Sequence, residues 1–324
     1  MKCHSCLKII ENTDNFCKEC SEMVFGKKIK SATLPFVLQD YANKIQVQFQ
    51  KNSIAGFQPK IYIQLGNKWK IIWQIVNTAT PTHLLKLPTQ EIAYTLPKDM
   101  TANEHLTMQL AKQVFRLPTA ECAFMYLEDQ RSVYVTKFFE RETALDFAVL
   151  MNITGQGNEN YKYDSSYEAM AECIKQHSGQ VNTDLLNFYK VLVFNVLVRN
   201  GDAHIRNFSM YYEGNIFCLT PSYDLLCTSL HVIEDTLACY LYDIDLKRGV
   251  EKKRKFDAMS HKKLVNFGKY IGIAETVILE TLTFISQQKP KITEMIQASF
   301  LSDNAKNRYQ NYVNDGYKII FGVR

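Results

Sequence analysis

The segment Val198-Arg-Asn-Gly-Asp202-Ala-His204-Ile-Arg206-Asn207-Phe-Ser gathers side chains that can accept a proton or hold a metal ion. It comes after an almost wholly apolar run ending at Leu197, which reads as a buried helix. Polar groups leaving a core helix are costly unless partners receive them. The spacing Asp202-x-x-x-x-Asn207 lets one loop place a carboxylate on an acceptor hydroxyl and an amide oxygen on a magnesium ion, the arrangement phosphoryl transfer uses. A short hairpin is expected next, Phe208 to Tyr212 and Ile216 to Leu219 around Glu213-Gly214-Asn215. It returns the chain to Thr220-Pro221-Ser-Tyr-Asp224, so Asp224 is the candidate second, metal-holding carboxylate. On spacing alone the better reading is a polar loop with Asp202 as a turn or cap residue and Asn207 as a strand-edge residue; the hairpin and Asp224 reverse that preference.

Such a site also needs a cation for the nucleotide phosphates. Lys86 is the candidate: its strand neighbours Leu84, Leu85 and Leu87 are apolar, so its ammonium is expected in a cleft, the equal alternative being a lysine that snorkels to solvent. Glu104 has two readings: ion-pair partner of Lys86, or third position of the capping box Thr101-Ala102-Asn103-Glu104. The small-residue loop Asn52-Ser53-Ile54-Ala55-Gly56-Phe57-Gln58-Pro59-Lys60 offers backbone approach to phosphates at Gly56 and a hydroxyl at Ser53. A Walker-type glycine-lysine motif is absent from the sequence.

A second chemistry lies near the start of the chain. Cys3-x-x-Cys6 and Cys17-x-x-Cys20 read as two knuckles that together could supply four thiolates for a tetrahedral, structural zinc site, the alternative being four free thiols on a loose N-terminal arm. A segment this short builds no core of its own, so metal would act as its staple. Because it precedes both lobes, its loss is expected to leave ATP binding largely intact. The other cysteines, Cys122, Cys173, Cys218, Cys227 and Cys239, sit in apolar contexts and read as small core residues.

Periodicity indicates what positions these groups. The runs Lys60 to Leu65, Trp69 to Trp73 and His83 to Leu87 read as an antiparallel sheet, joined by strands at Glu121 to Leu127 and Ser132 to Phe138 and interrupted by the helix that begins at Thr101. From Leu145 the period turns helical: Tyr167 to His177, Asp184 to Arg199, His261 to Tyr270, Glu275 to Gln287 and Ala305 to Asp315. The 324 residues suffice for roughly two compact units with a cleft between them. A 46% hydrophobic and 22% charged composition excludes disordered and collagen-like classes. The net charge of +5 does not demand nucleic acid, and the cluster Lys252 to Lys255 is expected to be a solvated loop or helix face. Neither a spanning apolar run nor a signal-peptide core is legible, so a cytoplasmic protein without membrane contact is expected.

Several motifs occur in the order found in HipA-type kinases, the serine/threonine kinase toxins of bacterial toxin–antitoxin modules. They are Ser53-Ile-Ala-Gly-Phe-Gln-Pro-Lys60, Thr82-His-Leu-Leu-Lys86-Leu, Asn103-Glu104, Phe139-Glu140-Arg141, Lys162-Tyr163-Asp164, Asn200-Gly-Asp202-Ala-His-Ile-Arg-Asn207-Phe-Ser and Pro221-Ser-Tyr-Asp224-Leu-Leu. The chain resembles the short, HipT-like members, and short relatives with an N-terminal cysteine motif in particular. The resemblance implies Asp202 as catalytic base, Asn207 and Asp224 as magnesium ligands and Lys86 on the ATP phosphates. It further implies nucleotide contacts from Ser53, Ala55, Gly56, Gln58, Glu104, His204 and Arg206, with Ser53 as the autophosphorylated serine. Implied partners are a protein substrate such as an aminoacyl-tRNA synthetase, a helix-turn-helix antitoxin with DNA reached only through it, and in some systems a small third protein. Two departures stand out: Arg206 where the family usually has Lys, and Leu145-Asp146 in place of an acidic pair.

The expected fold is α+β, two-lobed and protein-kinase-like: a four-cysteine segment over 1–30, a sheet lobe over 31–140 and a helical lobe over 141–324. The expected activity is Mg-ATP-dependent phosphorylation of serine or threonine, with ATP, magnesium and structural zinc as cofactors. Two other classes compete: an inactive nucleotide-binding regulator, and a zinc-knuckle nucleic-acid-binding protein. The latter leaves the Asp202 loop unexplained and lacks aromatic-basic interleaving.

Overall fold

A computed structural model describes residues 1–11, 13–35, 37, 60–65, 69–72, 81–88, 94–138, 144–155, 157–233, 236–242 and 252–322. The proposed nucleotide loop, with Ser53, Ala55, Gly56 and Gln58, therefore lies outside the described residues, as does Phe139-Glu140-Arg141.

The first lobe is a six-stranded sheet. Its strands are β1 (Thr33–Leu34), β2 (Lys60–Leu65), β3 (Trp69–Ile72), β4 (His83–Lys86), β5 (Cys122–Leu127) and β6 (Ser132–Lys137), in the order β1-β5-β6-β4-β2-β3. All pairings are antiparallel except β1 with β5. Strand alternation divides the labour between the two faces. Ile61, Ile63, Leu85, Val133 and Val135 join a buried apolar layer on one side, while Lys60, Tyr62, Leu84, Lys86 and Tyr134 line a cleft on the other. Register places Lys60 directly opposite Lys86.

The apolar layer is completed by the N-terminal segment. Cys3, Phe16, Cys20, Val24, Phe25, Ala32 and Leu34 share it, several of them from helix α1 (Lys18–Phe25). The four-cysteine segment, expected as a small unit in front of the sheet lobe, packs as a layer of that lobe. Its few apolar side chains are buried against the back of the sheet.

Helix α2 (Met100–Gln113) packs on the cleft side against β5 and β6. The capping box expected at Thr101 is not formed. The helix starts one residue earlier with Asp99 at the cap position and no side-chain cap, and Thr101 Oγ1 pairs with Ser132 Oγ at 2.9 Å. Asp99 is occupied elsewhere, accepting from Ser302 N (2.6 Å) and Ser302 Oγ (2.8 Å). Long-range partners outbid the local cap, and Glu104 is released to the cleft.

The second lobe continues through β7 (Leu145–Asp146), the single turn α3 (Phe147–Leu150), α4 (Tyr167–His177) and α5 (Val181–Leu197). The apolar run of α5 is buried from Val191 to Leu197, as its composition demanded. Next come β8 (Ser209–Glu213) and β9 (Ile216–Leu219), the expected hairpin, which forms a three-stranded sheet with β7. Strand β10 (Thr236–Tyr242) pairs antiparallel with β11 (Lys252–Lys255), so the basic cluster is a strand and not the loop or helix face expected of a charge run. Helices α6 (His261–Tyr270), α7 (Glu275–Ser286), α8 (Lys289–Ala298) and α9 (Asp303–Phe321) close the lobe. The five scattered cysteines are buried, as expected. Among the described residues no helix is long and apolar enough to cross a membrane.

Helix α9 crosses the end of α5 so closely that only glycine fits. A Cβ at Gly316 would lie 2.4 Å from the Leu197 carbonyl oxygen and 2.9 Å from its Cα. Both neighbours are backbone at the root of the Asp202 loop and yield only by moving the helix. Gly316→Ala is therefore expected to cost about 1–3 kcal/mol of stability, read as a lower denaturant midpoint; an unchanged midpoint would mean that this crossing is soft.

Candidate active site

Four elements meet in a cleft of about 260 Å³ between the lobes. Strand β4 brings Lys86, α2 brings Glu104, the loop after α5 brings Asp202, His204 and Asn207, and the segment after β9 brings Asp224.

Lys86 is the hub. Its ammonium donates to Glu104 Oε1 at 2.6 Å and to Asp224 Oδ1, while Lys60 Nζ lies 3.9 Å from Asp224 Oδ2. Of the two readings of Glu104, the structure forms the ion pair. In the sequence Lys60 stands only as the end of the small-residue loop; its register opposite Lys86 makes it part of the site, and period-2 alternation was the signal that could have shown it. Two like charges facing each other across a β-ladder repel, and Asp224 between them offsets the repulsion. Burial disfavours ionised Asp224, yet the Lys86 and Lys60 ammoniums outweigh it and hold this carboxyl well below the usual carboxylate range. Glu104 differs. Its burial dominates, only partly offset by Lys86, and with Asp224 nearby its pKa is pushed up to about 7. Burial lowers the Lys86 pKa, but the Asp224 and Glu104 charges more than compensate and keep it protonated.

Asp224 takes a left-handed backbone, φ 61°, a region Asp tolerates better than most residues. Its segment is clamped from the first lobe: Asn103 Nδ2 donates to the Cys227 carbonyl at 2.9 Å and Asn103 Oδ1 accepts from Cys227 N at 3.0 Å.

The Asp202 loop leaves α5 through Arg199, also left-handed at φ 54°. Gly201 N donates to Thr228 Oγ1 at 2.7 Å, and a Cβ at Gly201 would fall 2.4 Å from the Thr236 carbonyl oxygen, so glycine is needed for the loop to lie this close to β10. Asn207 Nδ2 donates back to the Asp202 carbonyl at 2.6 Å, leaving Oδ1 as the acceptor end of that amide. Tyr163 OH donates to Asp202 Oδ1 at 2.5 Å, a task that the motif Lys162-Tyr163-Asp164 does not reveal in the sequence. Burial raises the Asp202 pKa, with the Tyr163 hydrogen bond opposing. His204 is held neutral, its pKa lowered by burial to about 3, and its Nδ1 accepts from Arg206 N at 3.2 Å. Arg206 Nε donates to Asp146 Oδ2 at 3.2 Å, so the two departures from the family pattern meet each other at the rim.

The described candidates thus converge: Lys86, Glu104, Asp202, His204, Arg206, Asn207 and Asp224 all line one cleft. The cysteines are elsewhere, behind the sheet. Their four Sγ atoms lie within 4.8 Å of one another, Cys3 and Cys17 at 3.8 Å. Four sulfurs about 2.3 Å from one ion stand about 3.8 Å apart, so the cluster has the dimensions of a tetrahedral zinc site.

Comparison with known proteins gives the family and the fold. The model of the HipA-like C-terminal domain matches residues 52–297. A candidate kinase of Haemophilus influenzae is 26% identical over 320 residues, covering 91% of this chain and 89% of its own length. The serine/threonine-protein kinase toxin HipA of Shewanella oneidensis is 23% identical over 270 residues, covering 75% of this chain and 57% of the toxin. Among solved structures, HipA of S. oneidensis in complex with HipB and operator DNA superposes with a TM-score of 0.67 at 17% identity, covering 89% of this chain and 72% of that one. The Helicobacter pylori proinflammatory kinase CtkA gives 0.56 at 15% identity, covering 83% and 90%. The chain belongs to the HipA-type kinase family and has its fold.

Glu104 supplies a pH test. Its folded pKa of about 7 lies above the ordinary glutamate value, so the folded chain holds a proton there that the unfolded chain has released. Stability from this group is complete below about pH 4.3 and lost as pH rises toward 7. Relative to Glu104→Gln, the parent chain is expected to lose on the order of 3 kcal/mol across that interval, measured by urea unfolding. Parallel pH profiles for the two chains would show that Glu104 is ionised throughout.

Proposed function

We propose that this HipA-family chain is a serine/threonine protein kinase that uses Mg-ATP, and that it is the toxin of a toxin–antitoxin module. The observation that carries the reading is the meeting of Asp202 and Asp224, from the second lobe, with the Lys86–Glu104 pair of the first, in one cleft. The rival reading as a nucleic-acid-binding knuckle places no demand on any of these residues.

The roles come from the chemistry of each group. Lys86, anchored by Glu104, offers its ammonium to the nucleotide phosphates, with Lys60 beside it. Asn207 Oδ1 and the Asp224 carboxylate are hard oxygen donors that suit magnesium, which neutralises phosphate charge when bound. Asp202 accepts the proton of a serine or threonine hydroxyl as the hydroxyl oxygen bonds to the γ-phosphorus and the bond from that phosphorus to the β–γ bridging oxygen breaks, releasing ADP. Its raised pKa suits a base at neutral pH, and Tyr163 orients it. Neutral His204 and Arg206 stand along the same wall. Positioning and charge neutralisation supply most of the acceleration.

The finer reading extends to regulation and partners. Ser53, on the loop entering β2, is the proposed site of autophosphorylation; phosphate there adds about −1.5 to −2 charges and repels the nucleotide's own phosphates. An aminoacyl-tRNA synthetase is the proposed substrate. A helix-turn-helix antitoxin, with or without a small third protein, is the proposed regulator, which the HipA–HipB–operator complex of the S. oneidensis relative supports. DNA is then reached only through the antitoxin.

Asp202→Asn is expected to fold normally and to lower phosphoryl transfer by roughly two to four orders of magnitude, followed with labelled ATP. Asp224→Asn should lose magnesium-dependent nucleotide binding by calorimetry. Near-normal turnover in the first variant would remove Asp202 from the mechanism.

Autophosphorylation has a separate readout. After incubation with Mg-ATP, the parent chain should carry phosphate at Ser53 and bind ATP poorly, while Asp202→Asn carries none and keeps its affinity. Mass spectrometry that finds Ser53 unmodified, or modified without loss of affinity, would dismiss this control.

A further inference from the structure

The four-cysteine cluster is placed to do more than staple its own segment. Its two knuckles grip different parts of the first lobe. Around Cys3 and Cys6, the Ser5 carbonyl accepts from His105 Nε2 at 2.9 Å and the Cys6 carbonyl accepts from Gln113 Nε2 at 2.9 Å, both on α2. The same knuckle is fastened to β5: Phe124 N donates to the His4 carbonyl at 2.8 Å, and Ser5 Oγ donates to the Cys122 carbonyl at 2.8 Å. The second knuckle opens α1 at Cys17, and α1 ends on the other element. His83 Nε2, on β4, donates to the Val24 carbonyl at 2.9 Å, with the Phe25 ring 5.7 Å from the His83 ring. One knuckle therefore holds the helix of Glu104, whose neighbour in sequence is His105. The other holds the strand of Lys86, three residues beyond His83.

We propose that zinc bound by Cys3, Cys6, Cys17 and Cys20 cross-links β4 to α2 and so sets the distance between Lys86 and Glu104, which makes nucleotide affinity dependent on the metal. The metal ties the two knuckles, and each knuckle ties one half of the ion pair. Direct packing between α2 and the sheet runs through β5 and β6. The cysteine cluster adds a second route, through α1 on the back of the sheet and the Cys3–Cys6 knuckle on α2, between the two residues whose spacing a kinase must control. Zinc suits the role because a four-thiolate site is closed: it holds geometry and leaves no position for substrate. Metal affinity and nucleotide affinity are then linked, each raising the other by the same factor. This replaces the expectation from sequence order that the cysteines and ATP binding are independent.

The nucleotide part of this proposal rests on the kinase reading, so the test has one readout that does not. The full chain is purified from zinc-supplemented medium, and zinc is removed with a chelator and then restored. Elemental analysis should give about one zinc per chain before removal. Amide hydrogen exchange over 83–87 and 100–113 should accelerate together on removal while α5 stays protected, and should recover when zinc alone is added back. By calorimetry the affinity for Mg-ATP should fall about tenfold and recover in parallel. If the stripped chain unfolds as a whole, His83→Leu in the zinc-loaded protein decides. This variant should keep its zinc, exchange faster over 83–87 and raise the KM for Mg-ATP about threefold with little change in kcat. Protein without stoichiometric zinc, or exchange over 83–87 and 100–113 indifferent to zinc, overturns the proposal. So does a His83→Leu chain with parental exchange and KM. Zinc-dependent exchange in a chain that never binds Mg-ATP supports the cross-link and overturns the kinase reading instead.

Discussion

Everything in the cleft depends on a charge problem created by strand register. Pairing β2 with β4 sets Lys60 opposite Lys86 at the mouth of a mostly buried site, where neither ammonium is well hydrated. Such a pair persists only with carboxylates supplied from outside the sheet. Glu104 arrives from α2 and Asp224 from the other lobe, and Lys86 holds both. Removing any one partner from a buried network of this kind leaves a charge without compensation and costs more than the network contributes as a whole. The first lobe therefore needs the second for electrostatic reasons. The contact that joins them is also the one that nucleotide and metal would remodel, since Asp224 is at once the counter-ion of two lysines and a candidate metal ligand.

The second lobe solves a different problem, delivering polar loops from an apolar interior. Helix α5 is buried along its C-terminal half and ends against α9, where only Gly316 leaves enough room. The chain then turns through left-handed Arg199 and passes β10 with Gly201 in close contact. Beyond this turn the polar groups of the loop largely satisfy one another: Asn200 with Asn195, Asn207 with the Asp202 backbone, and the Arg206 amide with His204. Asp202 is thereby held by the loop's own hydrogen bonds and by Tyr163, so its carboxylate is fixed in a buried setting by neutral donors. The environments of the two carboxylates diverge in consequence: Asp224 is ion-paired and strongly acidic, Asp202 desolvated and more basic. Such a divergence is what the proposed split between a metal ligand and a proton acceptor requires.

The features legible in the sequence are local. The catalytic loop, the hairpin returning to Asp224, the sheet strands and the helices Tyr167–His177 and His261–Tyr270 all have short-range signals in spacing, turn residues and periodicity. The features that escape it depend on partners far away in the chain. Thr101 to Glu104 has the composition of a capping box, but Asp99 is taken by Ser302, Thr101 by Ser132 and Glu104 by Lys86. The run Lys252 to Lys255 has the charge of a solvated face, yet it pairs with β10, because strand pairing consumes backbone groups that every residue carries. Tyr163 and Lys60 are visible as motif letters, and only register and docking turn them into a hydroxyl that holds Asp202 and a second ammonium beside Asp224.

The same distinction applies to the cysteines. A pair of C-x-x-C knuckles announces its metal chemistry in four letters, but nothing in the spacing says what the knuckles touch. In three dimensions the segment is the outer layer of the sheet. The sheet's cleft face carries Lys60 and Lys86 beside the apolar packing of α2, and its opposite face carries a second apolar layer that this segment completes. A layer with so few apolar side chains buries too little surface to be rigid by packing alone. A four-thiolate metal site would supply rigidity through coordination bonds, in a segment that accepts hydrogen bonds from His105 and Gln113 of α2 and from His83 of β4. A lobe built this way couples the integrity of its back layer to the geometry of its cleft, because the strand that presents His83 to one presents Lys86 to the other.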